Sequence, residues 1–125
     1  MARESHSTLV PILSEVTATT TSSAYNIEGA RKVMLIVKRA DHSAGSSAFT
    51  AEVSVDAVNY IDYDKWIDNV ANTNSQQLTR IKTKTLSSNG TDCVAMSPED
   101  GFKWIRVKVT ETTDGTHSAW LYLEY

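Results

Sequence analysis

Phe102-Lys103-Trp104-Ile105-Arg106-Val107-Lys108-Val109-Thr110 is the stretch that decides the fold. Basic and hydroxyl residues alternate there with Ile105, Val107 and Val109, the period of a strand that buries one face. Phe102 and Trp104 fall on the face opposite those three, so a bulge near Trp104 is expected to reconcile the two sets. Downstream, Thr113-Asp114-Gly115-Thr116 turns the chain, and His117-Ser118-Ala119-Trp120-Leu121-Tyr122-Leu123-Glu124-Tyr125 reads as a last strand. Upstream, Pro98-Glu99-Asp100-Gly101 is a turn. Ser88-Asn89-Gly90-Thr91 predicts a tight hairpin between a strand over 75–86 and a return strand over 92–96, because Asn-Gly tolerates positive φ.

Further towards the start, the run from Phe49 to Asp56 alternates, with Phe49, Ala51, Val53 and Val55 expected inward. Val58-Asn59-Tyr60-Ile61 continues after a turn at Asp56-Ala57. Val33-Met34-Leu35-Ile36-Val37 is apolar on both faces and reads as the middle of a central strand. Leu9-Val10-Pro11-Ile12-Leu13 opens a leading strand, and its proline confines that part to an edge, a bulge or an arm lying on a neighbour. In residues 62–74, Trp66, Ile67 and Val70 stand at offsets 3, 4 and 7 from Tyr63. That spacing fits a short helix near 62–70, or equally a loop whose aromatics tuck over a sheet end. The whole reads as all-β: an antiparallel two-sheet β-sandwich of about eight strands, jelly-roll-like in its alternation of strands and turns. No linker divides it, so residues 1–8 are read as a flexible arm and 9–125 as one domain.

The chain of 125 residues is large enough to bury about two thirds of its unfolded surface, so a self-sufficient core is expected. A hydrophobic share of 41% is too high for disorder, and no run is long and apolar enough for a spanning helix. The 15 Thr and 14 Ser suit the polar faces of sheets. Basic clusters at Arg31, Lys32, Lys38 and Arg39, and at Arg80, Lys82 and Lys84, sit within strand patterns and read as solvated faces. A net charge of -3 does not make the positive field of a nucleic-acid groove, so neither nucleic acid nor membrane is an expected partner. The first residues lack the apolar core of a signal peptide, which points to synthesis in the cytoplasm.

Little chemistry is signalled. Cys93 stands alone in an apolar run and reads as a buried, inert small hydrophobe. Asp62, Asp64 and Asp68 resemble the start of a calcium loop, but Ile67 stands where its glycine belongs and Thr73 where its closing glutamate belongs. These acids are read instead as solubilising groups or as the cap of a short helix starting near Lys65. His6, His42 and His117 are dispersed, and His42 and His117 read as surface imidazoles. No nucleophile elbow, phosphate loop or dinucleotide fingerprint is present, so neither enzyme activity nor a cofactor is expected. Asn89-Gly90-Thr91 spells a glycosylation acceptor but reads as a turn. The aromatic residues Tyr60, Tyr63, Trp66, Trp104, Trp120, Tyr122 and Tyr125 are either core or contact surface. Tyr60, Tyr63, Trp66 and Trp120 are the set a glycan-binding module would use.

The order of these segments, from the proline-bearing first strand through Tyr25-Asn26-Ile27-Glu28-Gly29-Ala30 and Val33–Val37 to Trp104–Val109 and Trp120-Leu121-Tyr122-Leu123, resembles the small β-sandwich structural proteins of tailed viruses, especially head decoration or cement proteins. The resemblance implies a non-enzymatic protein on the virion capsid surface. Its implied partners are the major capsid protein and further copies of itself, a homotrimer being favoured. The residues give the contact candidates independently: Leu9, Val10, Pro11 and Ile12 at the first strand, and Trp120, Tyr122 and Tyr125 on a last strand expected to be an exposed edge.

Overall fold

The computed structural model describes residues 6–68, 79–96 and 101–125. Twelve strands form among them: β1 (Ser7–Val16), β2 (Thr20–Thr21), β3 (Tyr25–Asn26), β4 (Lys32–Ala40), β5 (Gly45–Ser54), β6 (Ile61–Asp62), β7 (Trp66–Asp68), β8 (Thr79–Ile81), β9 (Lys84–Leu86), β10 (Gly90–Ala95), β11 (Trp104–Thr113) and β12 (Thr116–Glu124). Sheet one runs β1-β12-β4-β10-β7-β8. Sheet two runs β2-β11-β5-β6, with β3 also on β11 and β9 also on β5. All pairings are antiparallel. The chain changes sheets at most of its connections, which is the winding of a jelly roll.

The two-sheet sandwich follows the alternation in the sequence. The count of twelve exceeds the expected eight because connections contribute two- and three-residue strands, such as β2 and β3 laid end to end on β11. The inner face of sheet one aligns Val10, Leu121, Leu35 and Val94 as cross-strand partners. Sheet two answers with Ile105 beside Val53, Val107 beside Ala51 and Val109 beside Phe49. These side chains form one core, and each fully buried aliphatic contributes about 1.5–3 kcal/mol.

Several sequence expectations are corrected. No helix occurs over 62–68; the chain makes β6, a three-residue link and β7, while Val70 lies outside the described residues. Tyr63 and Trp66 drive this outcome. They are 2% and 1% exposed, with rings in edge contact at 4.8 Å, so the aromatics tuck between the sheets. The backbone of β7 is meanwhile committed to β10 and β8. Asn89-Gly90 does not close a hairpin either: β9 pairs with β5 in sheet two and β10 with β4 in sheet one, so the segment is a crossover. Neither residue adopts positive φ. No bulge is needed at Trp104, because β11 starts there and runs in unbroken register with β5, leaving Phe102 free of the alternation. Val55 is exposed because β5 ends at Ser54. Finally, β1 starts at Ser7, which pairs with Glu124, as Thr8 does with Leu123; residues 1–5 of the expected arm lie outside the described residues.

Three polar devices pin the sheets together. Lys84 on β9 meets Asp92 at 2.9 Å and Asp68 at 3.3 Å, both from sheet one. Burial alone would depress the Lys84 ammonium, but the two carboxylates outweigh it and raise its pKa. His117, expected at the surface, is fully buried and shares a 2.8 Å hydrogen bond with Ser47 across the sheets. Its other ring nitrogen lies 3.5 Å from Glu111, too long to count as a good hydrogen bond. Arg39 is also buried rather than solvated. Its guanidinium donates to the carbonyls of Ala44 (2.7 Å), Gly45 (2.9 Å), Asp114 (3.0 Å) and Leu86 (3.2 Å). One side chain thereby ties three connections at one end of the sandwich.

Candidate functional site

The outer face of sheet one gathers most of the predicted contact residues. Cross-strand partners project on the same side of a sheet, so register assigns the face. One row runs Pro11, Trp120, Ile36 and Cys93; the next runs Leu9, Tyr122, Met34, Ala95 and Ile67. Their chain neighbours in β4 and β12, namely Val33, Leu35, Val37, Ala119, Leu121 and Leu123, are buried, which places these two rows outward. Leu9 is 56% exposed, Pro11 is exposed, and the central residues are half-buried. Nine apolar residues in two adjacent rows make a larger patch than scattered surface hydrophobes would. At one end the patch stops at Ser7, Glu124 and Lys32; at the other it stops at Ser118, Lys38 and Thr91. Arg31 pairs with Glu124 at 3.1 Å, and Tyr122 donates its hydroxyl to the same carboxylate at 3.0 Å.

Not all predicted residues share this face. Val10 and Ile12 turn inward and pack against the core. Tyr125 lies past the end of β12, edge-on to His6 at 5.6 Å, with its phenol raised in pKa by burial and the nearby Tyr25. The last strand is not an edge, because β1 covers one side of β12 and β4 the other; the edge on that side of the sheet is β1. Met34, Ile36, Ile67, Cys93 and Ala95 were missed as contact residues. For Met34 and Ile36 the signal is the doubly apolar run Val33–Val37, which sequence alone reads as burial on both sides.

The glycan set does not assemble. Tyr63 and Trp66 are core, Trp120 is on sheet one, and Tyr60 lies on sheet two beneath the Arg106 guanidinium at 3.9 Å. The outer face of sheet two is charged by contrast: Arg106 pairs with Glu52 at 2.9 Å and Lys82 with Asp62 at 3.0 Å. Among the described residues no group of three or more His, Cys, Asp or Glu is placed to hold a metal.

The loop after β5 is tightly built. Ser54 donates its hydroxyl to Asp56 at 2.9 Å and accepts the N–H groups of Asp56 and Ala57. Asp56 accepts the N–H groups of Val58 (2.9 Å) and Asn59 (2.8 Å) and the Asn59 side-chain amide (2.8 Å). These donors, the Asn59 and Val58 backbone foremost, hold the Asp56 carboxyl far below the usual carboxylate range. A depressed folded-state pKa stabilises above the ordinary carboxylate value and is lost only as pH falls through the folded one. The Val58 and Asn59 amide resonances are therefore expected to hold steady from neutral pH through the ordinary Asp range near pH 4, moving only in stronger acid. An NMR titration with a midpoint near 4 at these amides would contradict the geometry.

What the fold defines is an all-β jelly-roll sandwich with one apolar outer face. No protein-family model matches the chain, and no curated protein does. Among solved structures it is similar to the SPBc2 prophage-derived protein YomS, with a TM-score of 0.70 at 10% identity over 100% of this chain and 98% of that one. It is also similar to a chain from the structure of infectious bursal disease virus, Gx strain, with a TM-score of 0.52 at 5% identity. That likeness covers 98% of this chain but 32% of the viral chain. At such identities the likeness is one of fold: this chain remotely resembles phage-derived and viral β-sandwich proteins.

Proposed function

We propose that this chain is a non-enzymatic virion structural protein that self-associates and decorates or stabilises a capsid, with the major capsid protein as its second partner. The observation that carries the reading is the apolar outer face of sheet one. An exposed patch of this kind is a contact surface in a protein that has a partner and an aggregation liability in one that has none. Edge-to-edge pairing along β1 is discouraged by Pro11 and by register breaks between Pro11 and Leu13 and between Leu13 and Val16, which favours the face over that edge. The resemblance in layout to tailed-virus decoration proteins, and in fold to a prophage-derived protein, supports a virion setting for this reading. Glycan binding is disfavoured by the burial of Tyr63 and Trp66.

Sedimentation velocity of the purified protein tests self-association, and co-sedimentation with purified capsids of the virus that encodes it tests decoration. Trp120→Glu is expected to weaken assembly by roughly 30-fold or more, the loss typical of a central aromatic contact of about 2 kcal/mol. Unchanged assembly in that variant would remove the face from the reading. A wild-type protein that stays monomeric and ignores capsids would end it.

A further inference from the structure

Lys84, Asp92 and Asp68 meet between the two sheets. Lys84 is the register partner of Phe49 on β5, Asp92 is that of Val37 on β4, and Asp68 stands two residues from Trp66 on β7. Phe49, Val37 and Trp66 are all buried, so strand alternation turns the three charged side chains inward. The side chains of Lys84 and Asp68 are 12% exposed and that of Asp92 is 23% exposed. Lys84 Nζ lies 2.9 Å from Asp92 Oδ2 and 3.3 Å from Asp68 Oδ2. The other oxygen of Asp92, Oδ1, accepts the backbone N–H of Cys93 at 2.8 Å. A cross-sheet ion pair needs only an ammonium and one carboxylate. The second carboxylate supplies a proton carrier, and the Cys93 N–H supplies a donor where negative charge would develop during attack on Asp92.

We propose that Lys84 and Asp92 condense into an isopeptide bond that ties sheet two to sheet one, with Asp68 carrying protons. The ion pair first exchanges a proton, giving a neutral amine on Lys84 and a carboxylic acid on Asp92. The Nζ lone pair attacks Asp92 Cγ, and the carbonyl electron pair moves onto Oδ1, where the Cys93 N–H stabilises it. Asp68 takes a proton from Nζ and passes it to the Oδ2 hydroxyl, which leaves as water while Oδ1 re-forms the carbonyl. One C–N bond forms, one C–O bond breaks, Asp68 ends as the carboxylate it began as, and nothing is oxidised or reduced. The strands hold the reacting groups in contact, so no encounter has to be awaited. Because the two carboxylates raise the Lys84 pKa, the ion pair is the resting form and the neutral pair is scarce, so the bond forms slowly after folding. The link closes the β9–β10 crossover, and forces that part the sheets there would meet a covalent bond. This inference rests on the cluster alone and is independent of the capsid reading.

Intact mass spectrometry of the full chain, kept folded at neutral pH until its mass stops changing, tests this. Wild type is expected to become lighter by one water molecule. Trypsin does not cut after an acylated lysine, so digestion should then yield a water-short peptide over residues 83–103 with Lys84 uncut. Lys84→Arg keeps the positive charge but lacks the amine, and is expected to retain full mass. Asp68→Asn cannot accept the proton, and is expected to lose water about 100-fold more slowly. Both variants are first matched to wild type by circular dichroism, and the digest of wild type locates the bond even if neither folds. A wild-type protein that keeps its full mass would overturn the proposal. So would a water loss that persists in Lys84→Arg or maps away from Lys84 and Asp92, since an aspartyl succinimide sheds the same water. An Asp68→Asn protein that reacts as fast as wild type would overturn the role given to Asp68.

Discussion

Arg39→Ala is expected to lower the unfolding free energy by about 4 kcal/mol, measured by urea denaturation, out of the 5–15 kcal/mol typical of a domain. The guanidinium is buried and holds carbonyls of residues 44, 45, 86 and 114. Those acceptors belong to the β4–β5, β9–β10 and β11–β12 connections, the first of which also meets the other two directly through His42–Asn89 and Ser43–Asp114 hydrogen bonds at their exposed side. Removing the side chain leaves four part-buried acceptors without that donor and opens a space under the turns. Relaxation and water entry keep the loss below the sum of four separate penalties. Arg39→Lys retains the charge but presents compact donors where a planar fork spans four carbonyls, so it is expected to recover about half of the loss. A loss under about 1 kcal/mol for Arg39→Ala would show that the three connections hold one another without it.

Gly45→Ala is expected to cost a similar amount, about 3–5 kcal/mol, through strain rather than lost bonds. Gly45 has φ +79°, a region that costs any other residue. A methyl group there would stand 1.7 Å from the Thr112 carbonyl oxygen and 2.7 Å from the Thr113 hydroxyl, both on the paired strand β11. The two strands would have to separate at the register pair Gly45–Thr113, and the Gly45 carbonyl would leave Arg39. At roughly 4 °C per kcal/mol, thermal unfolding should fall by more than 10 °C. Gly90→Ala is the control: no atom lies within 4 Å of its added methyl and its φ is not positive, so a change within about 0.5 kcal/mol is expected. If the two alanines proved equal, the close approach at Gly45 would be refuted.

The strands that alternate strictly were legible because their period is a local property. Ile105, Val107 and Val109 needed only their own spacing, as did Phe49, Ala51 and Val53. The misreadings share one cause, which is that the deciding partner is distant in sequence. Arg39 lies two residues beyond Val37, and parity alone would place it inside, yet a buried guanidinium is plausible only once carbonyls from three connections surround it. His117 follows the same parity with Ala119, Leu121 and Leu123, and the hydroxyl that receives it is on Ser47 in the other sheet. The Asn89-Gly90 signal names a turn but not which sheet each flanking strand joins. The candidate site was half visible for the same reason: Leu9, Pro11, Trp120 and Tyr122 could be nominated, but their union with Met34, Ile36, Ile67, Cys93 and Ala95 exists only through the register of five strands.

The position of β12 between β1 and β4 also sets a timetable. Ser7 pairs with Glu124 and Leu35 with Leu121, so the lane that joins the first strand to the rest of sheet one is filled by the last one. During synthesis, β1 and β4 wait with an empty space between them until residues 116–124 have left the ribosome. Pairings this far apart in sequence fold slowly, and the waiting chain exposes the apolar edges of both strands. Folding is therefore expected to be cooperative and to wait for β12, with arrested chains that end before residue 116 remaining open to protease while chains that hold residues 116–124 clear of the ribosome become resistant.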